Sequence, residues 1–398
     1  MSQKPPPKPL SLTHIIPLSE QLFSIAVDSG ASDLHLEPHS HFMQVRMRID
    51  GLMQLLEAPF NQLPLAIGAA LVTRIKLLSE MDISELRRPQ DGSFQWQYQQ
   101  HLVDVRSSSL AGHWGEKLVL RLQWQQQNTD LTRQGLSLAQ LNIVKQKLKK
   151  SQGLILVTGP TGSGKTMFLY SCIEHIKAPH INIVSAEDPI EVALNHVHQV
   201  AVNTHIDLSF SNILRALLRQ DPDVIMLGEL RDFDSADVAL KASQTGHLLL
   251  TSMHTSSVSE AIQRCHGLGM DMLGLSYCLS LIINQRLVRK LCEACKQPLS
   301  QTQIRDFETM EWLNAKAHYT QCFGPVAPCI AVGCSDCHAG FNGRFGLFDL
   351  VEIDQAKRES VAQRNMDLVA LEGGIRQQGL WRVLSGHTTL AELNRVIW

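Results

Sequence analysis

The 398-residue sequence contains no hydrophobic run that approaches the length of a membrane-spanning helix. Its first nine residues are rich in proline and lysine and lack the apolar core of a signal peptide. An excess of charge of one sign is also missing, since the formal net charge is −2. The near-balance gives no general attraction to nucleic acid. These absences predict a cytosolic protein.

The composition excludes a disordered chain, because 44% of the residues are hydrophobic and no charge block dominates. The length suits two or three domains with cores of their own. In a cytosolic protein the nine cysteines suggest metal ligands or buried thiols before disulfides.

One segment fits the phosphate-binding loop pattern GxxxxGK[ST] at every required position. An apolar run over 154–157 precedes it and predicts a buried strand, and a helix-like segment begins at Met167. Strand, loop and helix is the context in which backbone N–H groups face phosphates, a lysine supplies charge and a threonine hydroxyl binds magnesium. The alternative is a chance glycine-rich turn. The predicted nucleotide-binding residues are Gly159, Pro160, Thr161, Gly162, Ser163, Gly164, Lys165 and Thr166.

The region before this loop has a mixed pattern. Helical spacing runs from His14 to a break at Gly30, and hairpin-like alternation follows up to the turn Asp50-Gly51. A helix is predicted over 63–78, a turn over 89–92, and three strands after it. The first domain is therefore predicted to be mixed α+β. After the loop, apolar strands over 181–184, 224–227 and 248–251 are separated by helix-length segments, which predicts an α/β domain with a parallel sheet.

These patterns divide the chain into six parts. A glutamine-rich polar stretch that begins at Gln123 has little to bury and is the natural linker. The predicted parts are a flexible leader (1–13), an α+β N-terminal domain (14–123), a linker (124–136), a P-loop core (137–290), a tetracysteine arm (291–340) and a C-terminal helical region (341–398).

Polar residues follow the predicted parallel strands, whose carboxyl ends form the ligand crevice of an open sheet. Glu187 begins an acidic run that ends at Glu191, and Glu229 follows the next strand. Glu187 or Glu191 could order magnesium-bound water or activate the attacking water, although a solvated acidic turn is the plainer interpretation of this run. Glu229 stands where a carboxylate can polarise the nucleophilic water, and its plainer interpretation is an ordinary acid at the end of a strand. His247 and His254 flank the next strand and are predicted to reach the γ-phosphate or a subunit boundary.

Two CxxC pairs form a second constellation: Cys292 with Cys295, and Cys334 with Cys337. Four thiolates suit a tetrahedral, structural zinc ion that leaves no open position for catalysis. A redox-active dithiol is the competing interpretation. Cys322 and Cys329 stand outside both pairs; they could substitute as ligands, but buried or free thiols are the prediction.

Taken together, the motifs resemble the secretion and pilus-assembly ATPases of the GspE/PilB family. The loop over 159–166 resembles their Walker A, 187–191 their aspartate box, 218–232 their Walker B region and 245–255 their histidine box. The first-domain segments 32–38, 45–51 and 89–92 are also similar, so the resemblance runs from about Ser32 to the C-terminus. It implies a RecA-like P-loop ATPase domain preceded by a PAS-like α+β domain, with a tetracysteine zinc insertion.

The resemblance also implies roles and partners. Arg106 and Arg121 match first-domain arginines that reach nucleotide phosphates like arginine fingers, and Arg219 and Arg344 match arginines that serve the nucleotide or an interface. It further implies ATP, magnesium and zinc as cofactors, a homo-hexamer, and an inner-membrane platform protein as partner. Only about thirty residues precede Ser32. In this respect the sequence resembles a short form of the family without the additional N-terminal docking domain. The tetracysteine element favours filament assembly over retraction.

The expected function is thus an ATP-hydrolysing motor for a type IV pilus or a type II secretion pseudopilus, cytoplasmic and peripheral to the inner membrane. Two other classes stay open. A nucleic-acid-translocating motor would need a basic channel, and the balanced charge argues against it. A nucleotide-binding scaffold without turnover is disfavoured by the intact Lys165, Glu229 and both histidines.

Overall fold

The computed structural model describes residues 14–124, 129–305, 309–363 and 374–397. The described residues fall into two compact units, one within Met1–Gln127 and one within Asn128–Trp398. The leader predicted over 1–13 lies outside the described residues. The longest described helices have 14 residues, and none is long and apolar enough to cross a membrane.

The first unit is an antiparallel sheet with two helices, as the sequence predicts. Asp50 and Gly51 both have positive φ, which is the conformation that a tight hairpin turn requires. Among the described residues the sheet has the order β3-β2-β1-β7-β6-β5, with β4 paired to β2. The elements are α1 (Ile15–Asp28), β1 (Ala31–Pro38), β2 (Phe42–Ile49), β3 (Leu52–Leu55), β4 (Gln62–Pro64), α2 (Leu65–Leu78), β5 (Gln90–Tyr98), β6 (His101–Gly112) and β7 (Gly115–Trp124).

The turn predicted over 89–92 is wrong, because Gln90 to Gly92 open strand β5 and pair with β6. Gly92 is needed there for a different reason than a turn. A Cβ atom on it would collide with the backbone oxygen of Ser79, so the glycine permits a close approach between the strand and the end of α2.

The second unit is built on a sheet of order β10-β9-β11-β12-β8-β13-β16 in the described residues. Neighbours from β10 to β13 are parallel, and β16 is antiparallel to β13. Its strands are β8 (Gly153–Thr158), β9 (Ile183–Glu187), β10 (His198–Ala201), β11 (Val224–Leu227), β12 (Leu248–Met253), β13 (Leu279–Leu291), β14 (Gln297–Pro298), β15 (Cys329–Ile330) and β16 (Phe341–Glu352), of which β14 and β15 pair separately.

Apolar clusters cover both faces of this sheet, which is why its strands are continuous hydrophobic runs. Helix α3 begins with a capping box, in which Ser137 and Gln140 exchange hydrogen bonds of 3.2 and 3.0 Å. The helices are α3 (Leu138–Leu148), α4 (Lys165–Ile176), α5 (Phe210–Leu217), α6 (Phe233–Gln244), α7 (Val258–Gly267), α8 (Met272–Cys278), α9 (Gln301–Arg305), α10 (Met310–Phe323), α11 (Gln355–Ala362), α12 (Gly374–Leu384) and α13 (Leu390–Val396).

Two predicted boundaries are corrected. The region 341–398 is not wholly helical, since β16 completes the central sheet through ten Cα pairings with β13. Gly343 and Gly346 interrupt the alternation of apolar residues along β16. Gly346 is required because a Cβ atom there would lie 2.5 Å from the Phe348 ring and 2.7 Å from the Gln134 oxygen. Part of the predicted linker 124–136 also belongs to the second unit, because Leu131 is buried in its core.

Candidate functional site

The glycine-rich loop joins the buried strand β8 to helix α4 at the carboxyl edge of the sheet. Gly159, Gly162 and Gly164 all have positive φ, so side chains there would strain the backbone. A Cβ atom on Gly159 would lie 2.5 Å from both the Gln285 oxygen and Ser163 Oγ, whereas one on Gly162 would meet nothing within 4 Å. The loop is therefore packed on one side and open on the other.

The loop as a whole fits a phosphate. Ser163 Oγ and Gln285 Oε1 are buried and have no hydrogen-bond partner in the described residues, and such groups are costly unless a ligand satisfies them. α4 begins at Lys165, so its first N–H groups point into the same space. Thr166 follows at the position where a hydroxyl can hold magnesium.

Lys165 is turned onto the loop itself. Its Nζ donates to the oxygens of Gly159 at 2.9 Å and Pro160 at 3.1 Å, and it lies 3.2 Å from His254 Nδ1. Burial lowers the pKa of Lys165 to about 8, with Glu229 opposing and Arg286 reinforcing the shift. A phosphate placed in the cradle would raise the pKa of this amine again by favouring its charged form.

A chain of polar contacts leads from Lys165 along the edge of the sheet. His254 Nε2 lies 3.4 Å from Glu229 Oε1, and burial together with the charge of Lys165 lowers the pKa of His254. A neutral ring thus accepts from Lys165 at Nδ1 and donates to Glu229 from Nε2. Arg231 continues the chain, with Nε 3.0 Å from Glu229 and a terminal nitrogen 2.8 Å from Asp188.

The structure therefore brings Glu229 and His254 to the P-loop, as the sequence predicts. The Glu229 carboxylate is held by a histidine on one oxygen and an arginine on the other, and it is partly open to solvent. A fixed carboxylate beside the phosphate cradle is placed to orient a water molecule.

Glu187 does not have the direct role on water that its sequence position suggests. It is 1% exposed, and its Oε1 accepts from Ser185 at 2.6 Å and Gln199 at 2.9 Å. Its Oε2 accepts from the hydroxyl of Tyr170 on α4, which also accepts the Glu191 N–H at 3.1 Å. Glu187 is therefore an anchor that joins the P-loop helix to the acidic loop, because it is buried and both its carboxylate oxygens accept hydrogen bonds from protein.

Two residues of β13 complete the edge and were missed by the sequence reasoning. Arg286 donates to the Ser256 oxygen at 2.7 Å, and Asn284 donates to the same oxygen at 3.2 Å. Together they hold the loop that carries His254. The signal in the sequence is slight. The polar residues Asn-Gln-Arg follow the apolar first part of β13, and they indicate a site only once that strand is known to lie beside β8.

The remaining predicted residues lie elsewhere. His247 precedes β12 at the opposite edge of the sheet, where its Nδ1 lies 3.0 Å from the Ala242 oxygen. β12 has six residues, so His247 lies roughly 20 Å from the P-loop and does not reach a phosphate there. Arg219 precedes β11 at that same edge and donates to the Arg215 oxygen.

Arg344 lies on β16 opposite Arg289, beyond the carboxyl end of β8 and hence on the nucleotide side of the sheet. Arg106 and Arg121 are Cα partners on neighbouring strands of the first unit. The Nε of Arg121 lies 3.4 Å from Asp33.

The four predicted zinc ligands do come together. Cys292, Cys295, Cys334 and Cys337 place their Sγ atoms within 4.8 Å of one another. Three of the pairs are 3.9, 3.7 and 3.6 Å apart. A tetrahedron with Zn–S bonds of about 2.3 Å has S···S edges of about 3.8 Å, so the group fits zinc. Cys329 is buried and Cys322 is exposed, and neither belongs to the cluster.

Fold and loop together define a P-loop nucleotide-binding protein. The chain matches the type II/IV secretion system protein family over residues 10–395, and it belongs to that family. It is 40% identical over 391 residues to type II secretion system protein E of Aeromonas hydrophila, covering 96% of this chain and 75% of that protein. It is 37% identical over 394 residues to the type IV pilus assembly ATPase PilB of Acinetobacter baylyi, covering 96% and 66%.

Solved structures agree on the fold. The ATPase DotB of Legionella pneumophila superposes with a TM-score of 0.70 at 18% identity, over 98% of this chain and 96% of that one. The pilus retraction motor PilT with bound ADP superposes with a TM-score of 0.61 at 23% identity, over 94% and 95%. At such identities the likeness establishes the fold alone.

Proposed function

We propose that this chain is an ATPase that converts the hydrolysis of ATP into mechanical work. The observation that carries the proposal is the connected arrangement at the carboxyl edge of the sheet, in which the P-loop amine, His254 and Glu229 form one chain of contacts. The glycine loop and Lys165 hold the phosphates, and Thr166 holds magnesium, which neutralises phosphate charge when bound. Glu229 orients the attacking water, and Glu187 keeps the acidic loop in place.

The first unit would supply arginines to the reaction. Arg106 and Arg121 are adjacent on β6 and β7, so one surface of that unit presents two guanidinium groups to an anion. We propose that they stabilise the γ-phosphate charge of a bound nucleotide. The strand order of this unit supports a PAS-like fold, and the second unit would be RecA-like.

Arg219 and His247 do not reach the P-loop of their own chain. Both lie at the opposite edge of the sheet, so a neighbouring subunit is the place where they would act. We assign them, together with Arg344, to contacts in a homo-hexamer.

The work would drive assembly of a filament. The relatives named above are a type II secretion protein and a pilus assembly ATPase, which supports a cytoplasmic motor acting at the membrane on a platform protein of a pilus or secretion system. No nucleic acid is expected as a partner.

The four clustered thiols would hold a structural zinc ion. The cluster ties the ends of β13 and β16 at the base of the 292–337 segment, because Cys292 follows the last residue of β13 and Cys337 lies shortly before β16. A bound zinc would contribute on the order of 10 kcal/mol to local folding.

The test is phosphate release by the purified, zinc-replete protein, with Lys165→Ala as the disabling variant. Lys241→Ala is the matched control, since Lys241 lies on α6 and pairs with Asp237 on an exposed face. We expect magnesium-dependent turnover that is lost in Lys165→Ala and kept in Lys241→Ala. A wild-type protein that binds ATP but releases no more phosphate than Lys165→Ala would be a scaffold and not a motor.

A further inference from the structure

A second cavity lies in the P-loop unit, at the edge of the sheet opposite the nucleotide cradle. Its volume is about 590 Å³, which falls within the range of roughly 300–1,000 Å³ that small-molecule pockets occupy. The walls are the turn between α3 and β8, the end of α6, the junction of α8 with β13, and one side of α11. β8 separates it from the P-loop by roughly 20 Å.

Two cations line this cavity without a counter-ion among the described residues. Arg358 on α11 has a buried Nε that makes no hydrogen bond there. Lys150 follows α3, and burial together with the positive charges of Lys147 and Arg358 lowers its pKa, while the carboxylate of Glu352 opposes the shift more weakly. Two unpaired cations that repel each other are stabilised by an anion placed between them.

The nearby carboxylates supply only part of that negative charge, because each already pairs with another lysine. Glu352 is already paired with Lys147 at 2.6 Å, and Asp354 is paired with Lys357 at 3.1 Å. The charges within each of these two ion pairs neutralise each other, so the positive charges of Lys150 and Arg358 have no ion-pair partner among the described residues.

The cavity also carries an aromatic surface. Tyr277 is 67% exposed and lines the opening, where its ring face is accessible for stacking. Ser151, Gln152 and Gln244 add hydroxyl and amide groups at the same wall. The combination of two cations, neutral hydrogen-bonding groups and one open aromatic ring is suited to a phosphate attached to a planar group.

We propose that this cavity binds a small phosphate-bearing ligand of nucleotide size, with Lys150 and Arg358 on the phosphate and Tyr277 stacked on the planar ring. The site is distinct from the P-loop, and binding there requires no turnover.

The experiment loads the P-loop of the full chain with one equivalent of magnesium-ADP, removes unbound nucleotide by gel filtration, and then measures binding of two probes by calorimetry. Inorganic pyrophosphate tests the phosphate interaction alone, and guanosine 5′-monophosphate adds a ring. ADP retention is recorded in the same samples. Lys150→Ala, Arg358→Ala and Tyr277→Ala are compared with Lys149→Ala, which removes a neighbouring exposed lysine at the end of α3.

We expect one additional site per chain for both probes, weakened at least tenfold by Lys150→Ala or Arg358→Ala and unchanged by Lys149→Ala. Tyr277→Ala should weaken the nucleoside monophosphate and leave pyrophosphate unaffected. If pyrophosphate binds and the ring adds nothing, the stacking assignment is wrong and the occupant is an inorganic anion. The proposal is overturned if neither probe binds the ADP-saturated protein, or if Lys150→Ala and Arg358→Ala bind as Lys149→Ala does. A protein without ATPase activity could still pass this test, so the two proposals fail separately.

Discussion

Replacing Tyr170 with phenylalanine removes one hydroxyl and leaves the aromatic ring in the core. That hydroxyl donates to the buried Glu187 carboxylate and accepts the Glu191 N–H. A hydrogen bond to a charged group contributes about 1.5–3 kcal/mol and one between neutral groups about 0.5–1.5 kcal/mol. The expected loss is therefore about 2–4 kcal/mol, because both partners stay buried without replacement.

Thermal unfolding measures this loss. For a domain of this size the destabilisation corresponds to a fall in Tm of roughly 4–7 °C. Phosphate release should slow as well, because the acidic loop beside Glu229 loses its tie to the P-loop helix. The control is Tyr277→Phe, whose hydroxyl is removed from an exposed position. If Tyr170→Phe melts within about 1 °C of that control and turns over like wild type, Glu187 does not anchor the loop.

Three further outcomes are expected. Arg286→Ala should lower kcat about tenfold or more with little change in KM, because only Asn284 would then hold the Ser256 oxygen and with it the His254 loop. The control Arg133→Ala removes an exposed arginine and should have no effect. Equal kcat in the two variants would refute the positioning role of Arg286. The pKa of Lys165 is lowered to about 8 in the free protein, whereas the phosphate-bound amine is charged. Binding of magnesium-ADP should therefore take up close to one proton at pH 9 and far less at pH 7. Calorimetry in buffers of different ionisation enthalpy measures this uptake, and its absence at pH 9 would contradict the lowered pKa. Zinc content measured by mass spectrometry should be one ion per chain and should fall in Cys334→Ser but not in Cys322→Ser, whereas equal loss in both would exclude the four-cysteine site.

The lowered pKa of Lys165 also fixes the sign of its effect on the stability of the nucleotide-free protein. The unfolded amine titrates near 10.5 and the folded one near 8, so between these values the unfolded chain binds more protons. Stability therefore rises as the pH increases from 8 towards 10.5. A bound phosphate reverses the preference by favouring the charged amine.

Local patterns predicted the P-loop, the hairpin at Asp50-Gly51 and the parallel strands, because each depends on neighbours in the sequence. β16 was missed since Gly343 and Gly346 break its alternation and its partner β13 lies some 60 residues away along the chain. The turn at 89–92 was mistaken because a glycine needed for close approach looks like a turn glycine.

The site shows the same division. Glu229 and His254 were placed correctly because residues that follow parallel strands meet at one edge of a sheet. For His247 the γ-phosphate option fails because this residue precedes its strand, and the subunit boundary stays a prediction. The burial of Glu187 was invisible because it depends on Tyr170 and Gln199 reaching across from other elements. The role of Arg286 needed the register between β13 and β8.

The most direct test of the central claim is single-turnover hydrolysis of magnesium-ATP by Glu229→Gln beside wild type. The substitution keeps the size of the side chain and removes the charge that orients water. We expect affinity for magnesium-ATP within a few fold of wild type and hydrolysis slower by about 100-fold or more. Hydrolysis at the wild-type rate would show that Glu229 does not act on the water and would contradict the assignment of this edge of the sheet as the catalytic site.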